Sequence, residues 1–244
     1  AAMARPGLDS PFDETQMKVG RRLAMKILNA GKFVLTMAEN PGGLAAVTNP
    51  VDVAMLAGLR DVVGTATRAF DEFDYTAALE AAESFFWSFC DDYLELVKER
   101  AYGAHSPEEQ ASAQAALALA LDVQLRLFAP ILPFVTEEVW RWTHPSSVHL
   151  AAWPTADELP SGDPTLVADV ATALIAIRGA KSTAKVSMKA EVSRAAFAGP
   201  AAVVARLRTI EPDLRAVGRL TGEVTWTEAD APLGVEVELA EAVD

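Results

Sequence analysis

Through the first two-thirds of the chain, apolar residues return every three or four positions, the period of amphipathic helices. The longest such run extends from Phe12 to about Glu39, and Asn40-Pro41-Gly42-Gly43 ends it. Asn49-Pro50 opens a second helix reaching about Phe70, with the proline in the first turn, where its missing N–H costs nothing. An acidic turn, Asp71-Glu72-Phe73-Asp74, leads into a third helix ending near Arg100. Ser106-Pro107-Glu108-Glu109 combines a cap, a first-turn proline and acids suited to the helix dipole, and starts a fourth helix to Phe128. Pro130 and Pro133 interrupt it, and a short final helix is expected from Thr136 to Trp142. Four or five helices with short connections predict an antiparallel bundle.

After His144-Pro145 the pattern changes. Pro154, Pro160, Ser161-Gly162 and Pro164 mark a linker. Leu166 to Gly179 reads as helix, Val186 to Phe197 alternates like a strand, and Ala201 to Leu220 is helical again. Val224-Thr225-Trp226 and Val235 to Leu239 read as strands. The expected fold class is therefore mostly α. A helical bundle at 1–150 is followed by a linker at 151–164 and a small α+β domain at 165–244.

Composition narrows the function classes. A single cysteine, Cys90, rules out an intramolecular disulfide and a multi-cysteine zinc site. No apolar run is long enough to span a bilayer and no secretory signal opens the chain, so a cytoplasmic protein is expected. A formal net charge of -13 over 244 residues argues against a general nucleic-acid binder. The distribution qualifies that argument. Between Thr15 and Ala38 there is no acidic residue, whereas Lys18, Arg21, Arg22, Lys26 and Lys32 all fall there.

On a helix at 100° per residue, Val19, Leu23, Ile27, Ala30 and Val34 form one stripe, flanked by Gly20, Ala24 and Gly31, which permit close helix approach. Lys18, Arg21, Arg22, Lys26, Asn29 and Lys32 share the opposite arc, with Met25 and Phe33 within or beside it. Lysine and arginine neutralise phosphates, asparagine reads a base edge, and a ring stacks on an unpaired base. The same pattern also suits a solvated cationic face with Met25 and Phe33 packed on a neighbour.

Other clusters read more plainly. Asp91, Asp92, Glu95 and Glu99 suit a solvated acidic face paired with Lys98 and Arg100 across helix turns. Phe85, Phe86, Trp87 and Phe89 suit bundle core better than a stacking platform, Trp140 and Trp142 suit core or interdomain packing, and Cys90 a buried small hydrophobe. Glu137 and Glu138 suit the start of their helix, with a carboxylate accepting from a cytosine amino group as the alternative. A second basic stretch, Arg178, Lys181, Lys185, Lys189 and Arg194, surrounds a helix-to-strand step. No metal site is expected.

The segment Gln16-Met17-Lys18-Val19-Gly20-Arg21-Arg22-Leu23-Ala24, continued by Lys26-Ile27-Leu28-Asn29-Ala30 and Lys32-Phe33-Val34, closely resembles the start of the anticodon-binding domain of valyl-tRNA synthetases. Phe70 to Tyr75 with Ala78-Leu79, then Phe86-Trp87-Ser88-Phe89-Cys90-Asp91-Asp92-Tyr93-Leu94-Glu95, then Pro130 to Trp140, resemble further blocks of that family in the same order. The last of these is shared among class I synthetases for branched aliphatic amino acids, and the first is the one that points to valine. Trp153-Pro154 and Ile177-Arg178 fit the region after the bundle.

The resemblance implies a non-catalytic C-terminal part of a valyl-tRNA synthetase that grips the anticodon stem-loop of tRNA(Val). The family's complete enzyme is a valine-tRNA ligase using ATP and magnesium, with a separate editing domain that removes mischarged threonine. Neither centre is expected here, and the chain alone is expected to be inactive and to need no cofactor. His105, His144 and His149 make no His-x-Gly-His element, and Lys185-Val186-Ser187-Met188-Lys189 has the letters of the family's catalytic loop in the wrong order. The opening residues to Phe12-Asp13 resemble sequence just after that loop, so the chain is expected to begin at a domain boundary. Many bacterial members end in a charged, leucine-rich coiled-coil arm. Here the last residues are Leu239-Ala240-Glu241-Ala242-Val243-Asp244, so such an arm either lies beyond residue 244 or is lacking in this member.

The expected tRNA-binding residues are Lys18, Arg21, Arg22 and Lys26 toward the backbone, with Asn29 and Phe33 toward bases. The expected partners are tRNA(Val) and the catalytic domain of the same polypeptide, in a monomer without membrane contact. The alternative is an acidic protein-interaction or structural domain with no autonomous RNA binding.

Overall fold

The computed structural model describes residues 14–38 and 42–240. Helix α1 (Glu14–Met37) buries Leu23, Ile27, Ala30 and Val34, the stripe expected from its periodicity, while Val19 is half-buried. The expected ends of this helix at Phe12 and Glu39 lie outside the described residues. Helix α2 (Pro50–Asp71) starts at Asn49, whose side-chain oxygen accepts from Val51 N at 3.1 Å. Helix α3 (Tyr75–Ser88) starts at Asp74, which accepts from Ala77 N at 3.0 Å. It continues through a π turn (Phe89–Tyr93) into α4 (Leu94–Ala101), so the third expected helix is one rod with a wide turn inside it. In front of α5 (Pro107–Phe128), Ser106 and Glu109 form a capping box.

Helix α6 (Pro133–Trp140) begins and ends earlier than expected, because Pro133 occupies its first turn and so opens the helix instead of interrupting one. Glu137 and Glu138 therefore sit well inside α6, not at its start. Glu137 binds Arg141, and Glu138 accepts from Trp142 Nε1 at 3.2 Å. Gly31 allows α1 and α6 to touch, since a Cβ there would lie 2.5 Å from Val139 Cγ1. Gly20 meets no described atom within 4 Å, so the close approach is made at Gly31.

The rest of the chain forms α7 (Thr165–Thr183), β1 (Val192–Gly199), α8 (Ala201–Arg208), α9 (Glu211–Gly218), β2 (Leu220–Glu228) and β3 (Gly234–Leu239). The sheet order is β2-β1-β3, with β1 parallel to β2 and antiparallel to β3. Two expectations are corrected. The strand expected from Val186 begins only at Val192, because β1 finds its partners from Leu220 and Leu239 onward. Val186 and Met188 alternate without a ladder to join, and lie exposed in the irregular segment before β1. The helix expected from Ala201 to Leu220 breaks between Arg208 and Glu211, because Pro212 lacks an N–H and disfavours helical backbone before it. Beside β1, the register shifts so that Thr221 and Gly222 face Ser193, and a side chain at Gly222 would run into the Ser193 carbonyl.

One continuous apolar core runs from Leu23 of α1 through α2–α6 to Ile177 of α7 and Leu220 of β2. Arg100 is buried within it, 1% exposed, which corrects the expectation that it pairs with its own helix's acids. Its Nη1 and Nη2 donate to both oxygens of Asp52 at 2.7 and 2.8 Å, and its Nε donates to Asp213 at 3.1 Å. Tyr93 Oη and Ser112 Oγ donate to the same Asp52 carboxylate at 2.7 and 2.6 Å. Helices α2, α4, α5 and α9 are thereby joined at one guanidinium, which these two carboxylates hold well above its ordinary pKa despite burial. Cys90 is buried as expected, and burial pushes its thiol up to about 12.

Candidate nucleic-acid interface

The polar arc of α1 lies open. Lys18, Arg21, Arg22, Asn29 and Lys32 are exposed and Met25 is 49% exposed. Lys18, Arg21, Arg22, Met25, Lys26 and Asn29 line one groove of about 380 Å³, and Trp87 from α3 forms its other wall. Five of the six residues expected from the sequence therefore converge on one surface. The sixth, Phe33, sits farther along α1, half-buried, edge-on to Tyr102 at 6.2 Å, with the Lys98 ammonium 5.3 Å from its ring centroid.

Trp87 belongs to this groove, although its apolar neighbours suggested core. Phe86 and Phe89 are buried, but Trp87 is only partly so, and its indole N–H donates to Glu83 at 3.2 Å. The signal was present in helical phase. Trp87, Asp91, Lys98 and Tyr102 fall along one edge of the α3–α4 rod, beside the stripe of Phe86, Phe89, Tyr93 and Val97. Of the tryptophans expected in packing, Trp140 is buried, whereas Trp142 stays 38% exposed.

The charge on the groove is largely uncompensated. Among the described residues, none forms an ion pair with Lys18, Arg21, Arg22 or Lys32. Lys26 is the exception, with Nζ 2.8 Å from Asp91 and 5.6 Å from the Trp87 ring centroid. Burial alone would lower this ammonium, but the hydrogen bond and charge of Asp91 outweigh it and hold Lys26 above its ordinary pKa. The next residue, Asp92, points to another flank of the rod and pairs with Arg178 of α7 at 2.8 Å. Only Glu95 makes the expected pairing within the helix, to Lys98 at 3.5 Å. Such a surface offers flexible cations for phosphates, one amide for a base edge and an indole face for stacking.

Among the described residues no group of three or more histidines, cysteines or carboxylates is placed to hold a metal ion, and no helix is long and apolar enough to cross a membrane.

Residues 52–196 match the family described as the anticodon-binding domain of tRNA ligase. This chain belongs to that family. As an anticodon-binding domain it is 57% identical over 244 residues to the valine–tRNA ligase of Cutibacterium acnes, covering 99% of this chain and 28% of that protein. The valine–tRNA ligases of Thermobifida fusca and Salinispora arenicola are 54% and 50% identical, again over 99% and 98% of this chain. The chain thus spans less than a third of the length of these relatives. The family match begins at Asp52, within α2, so the α1 wall of the groove lies outside the matched residues and the Trp87 wall inside them, while the similarity to the ligases covers both.

Proposed function

We propose that this chain is the tRNA-recognising part of a valine–tRNA ligase, and that the α1 groove receives the anticodon stem-loop of tRNA(Val). The observation that carries the reading is the groove itself: exposed cations that, apart from Lys26, pair with no carboxylate among the described residues, with an amide and an indole, on a chain otherwise strongly acidic. The names of its relatives, valine–tRNA ligases, supply the RNA and the amino acid.

In this reading Lys18, Arg21, Arg22 and Lys26 contact the sugar–phosphate backbone, and Asn29 reads a base edge. Trp87 stacks an unpaired base, a role it shares with Phe33 once Lys98 is displaced from that ring. The negative charge elsewhere repels RNA in wrong orientations. The whole ligase would join valine to its tRNA with ATP and magnesium in a catalytic domain of the same polypeptide, in the cytoplasm and as a monomer. No step of that chemistry is assigned to residues of this chain, whose part is to position the tRNA.

The test is a binding titration of the chain with a tRNA(Val) anticodon stem-loop, beside a loop with altered anticodon bases, at two salt concentrations. Binding should weaken with salt and favour the native anticodon by about 1–3 kcal/mol per base read. Arg22→Ala should weaken both RNAs alike, and Asn29→Ala should narrow the difference between them. Equal affinity of the unaltered chain for both loops would leave a cationic patch without anticodon recognition. Absence of binding at low salt would favour the acidic interaction-domain alternative.

A further inference from the structure

A second cationic feature lies apart from the α1 groove. Between α4, α7 and the end of α9 a cleft of about 550 Å³ is lined by Lys98, Arg178, Lys181, Lys189 and Arg219, with Glu95 and Glu99 on its α4 side. Lys98 and Arg178 engage Glu95 and Asp92. Among the described residues, no carboxylate pairs with Lys181, Lys189 or Arg219.

Lys181 is 2% exposed, and its Nζ donates to the carbonyls of Met188 at 3.0 Å and Gly218 at 2.9 Å. Carbonyls satisfy hydrogen bonds without cancelling charge, so a net positive charge is held under the cleft floor. Arg219 ends α9 in left-handed backbone, φ +55° and ψ +44°, a position where glycine is the favoured residue. An arginine there accepts backbone strain and brings a guanidinium to the cleft. Burial, and the positive charge of Arg219 nearby, depress the Lys181 ammonium below its ordinary pKa. An anion in the cleft would offset both effects.

Two residues link the cleft to α1. Lys98 and Tyr102 line it, and both also meet the Phe33 ring of α1. We propose that the cleft is a second phosphate-binding site for the RNA held by α1, taking its sugar–phosphate backbone through Lys98, Lys189 and Arg219 above the buried Lys181. The site extends the tRNA-binding reading and rests on it. It makes the segment after the helical bundle part of the RNA interface, and it carries affinity without base preference.

The test uses the 244-residue chain with Lys189→Ala and Arg219→Gly combined, since glycine keeps the left-handed turn. Whole tRNA(Val) binding is measured against salt, beside an Arg21→Ala, Arg22→Ala variant and with the thermal midpoint of each. The cleft variant should melt no lower than the unaltered chain and bind tRNA roughly tenfold more weakly at low salt. Its log–log salt slope should be shallower by about 2, near 1 per lost phosphate contact, with anticodon preference retained. Unchanged affinity and slope, while the α1 variant loses binding, would overturn the cleft and leave the groove standing. The reverse pattern would keep the cleft as an RNA site and sink the groove. A parallel titration with inorganic phosphate separates the sources. Saturable phosphate binding that the cleft variant abolishes, with tRNA affinity unchanged, would reassign the site to a free anion and overturn the RNA proposal.

Discussion

Glu137 closes the turn after α6 with three bonds at once. Its carboxylate accepts from Arg141 Nε at 2.7 Å, Ser147 Oγ at 2.8 Å and Val148 N at 2.9 Å. The Arg141 bond leads the causes that hold its pKa at about 2, with the Ser147 and Val148 bonds adding to it. An unfolded glutamate takes up its proton near its ordinary value of 4.5 while the folded one resists until about 2, so the stabilisation is full above 4.5 and is lost as pH falls toward 2. Acid unfolding of Glu137→Gln, followed by circular dichroism, should lose that portion of the pH dependence while the remaining carboxylates keep theirs. An unchanged acid transition would mean the three bonds are not formed in solution. Arg126, largely covered itself, makes a comparable junction, bridging Asp122 and Glu158 at 2.6 Å each, but both carboxylates stay partly exposed, and solvent screening keeps such pairs modest in worth.

At the scale of elements, the contact between α1 and α6 depends on a missing side chain. A methyl group at Gly31 would press into Val139 and approach Trp142, and overpacking of this kind costs about 1–3 kcal/mol. Gly31→Ala should lower the stability measured by urea unfolding by that amount, and Gly31→Ala with Val139→Ala should recover part of it. Additive losses in the pair would place the cost elsewhere. The helices themselves were legible because their signals are local. Caps at Asn49, Asp74 and Ser106 and the apolar stripe of α1 need no knowledge of the fold. Elements whose existence depends on a distant partner were not. Alternation at Val186 and Met188 looks like a strand until it is known that β2 and β3 pair only from Val192 onward. Pro212 was a local signal, and it marks the break between α8 and α9. For the interface, the charges on α1 and the phase that sets Trp87 off the buried stripe were visible in sequence, whereas Trp87's place across the groove from α1 was not, nor the cleft, where three segments meet.

Across the whole molecule, Arg100 joins the helices of the bundle to α9. On the helical wheel it falls on the buried stripe of its rod, and a lone charge there requires partners from elsewhere, which Asp52 and Asp213 provide. Removing the guanidinium strands two buried carboxylates, so Arg100→Met should cost about 3–5 kcal/mol in urea unfolding. Asp213→Asn should cost less, because the bidentate pairing with Asp52 survives, and hydrogen exchange should then show α9 opening ahead of α2. Equal costs for the two variants would mean that α9 contributes as much as α2 to holding this charge. The adjacent carboxylates Asp91 and Asp92 have a different consequence for the two cationic surfaces they border. Asp91 holds Lys26 beside the α1 groove and Asp92 holds Arg178 beside the cleft. In the proposed complex Lys26 has an anion before RNA arrives, and a phosphate takes over a place that a carboxylate already keeps, while Arg178 stays tied to Asp92 and braces the cleft wall. Both long side chains are thus posed in advance, and RNA binding at Lys26 is an exchange of counter-ions with little further loss of rotamer freedom.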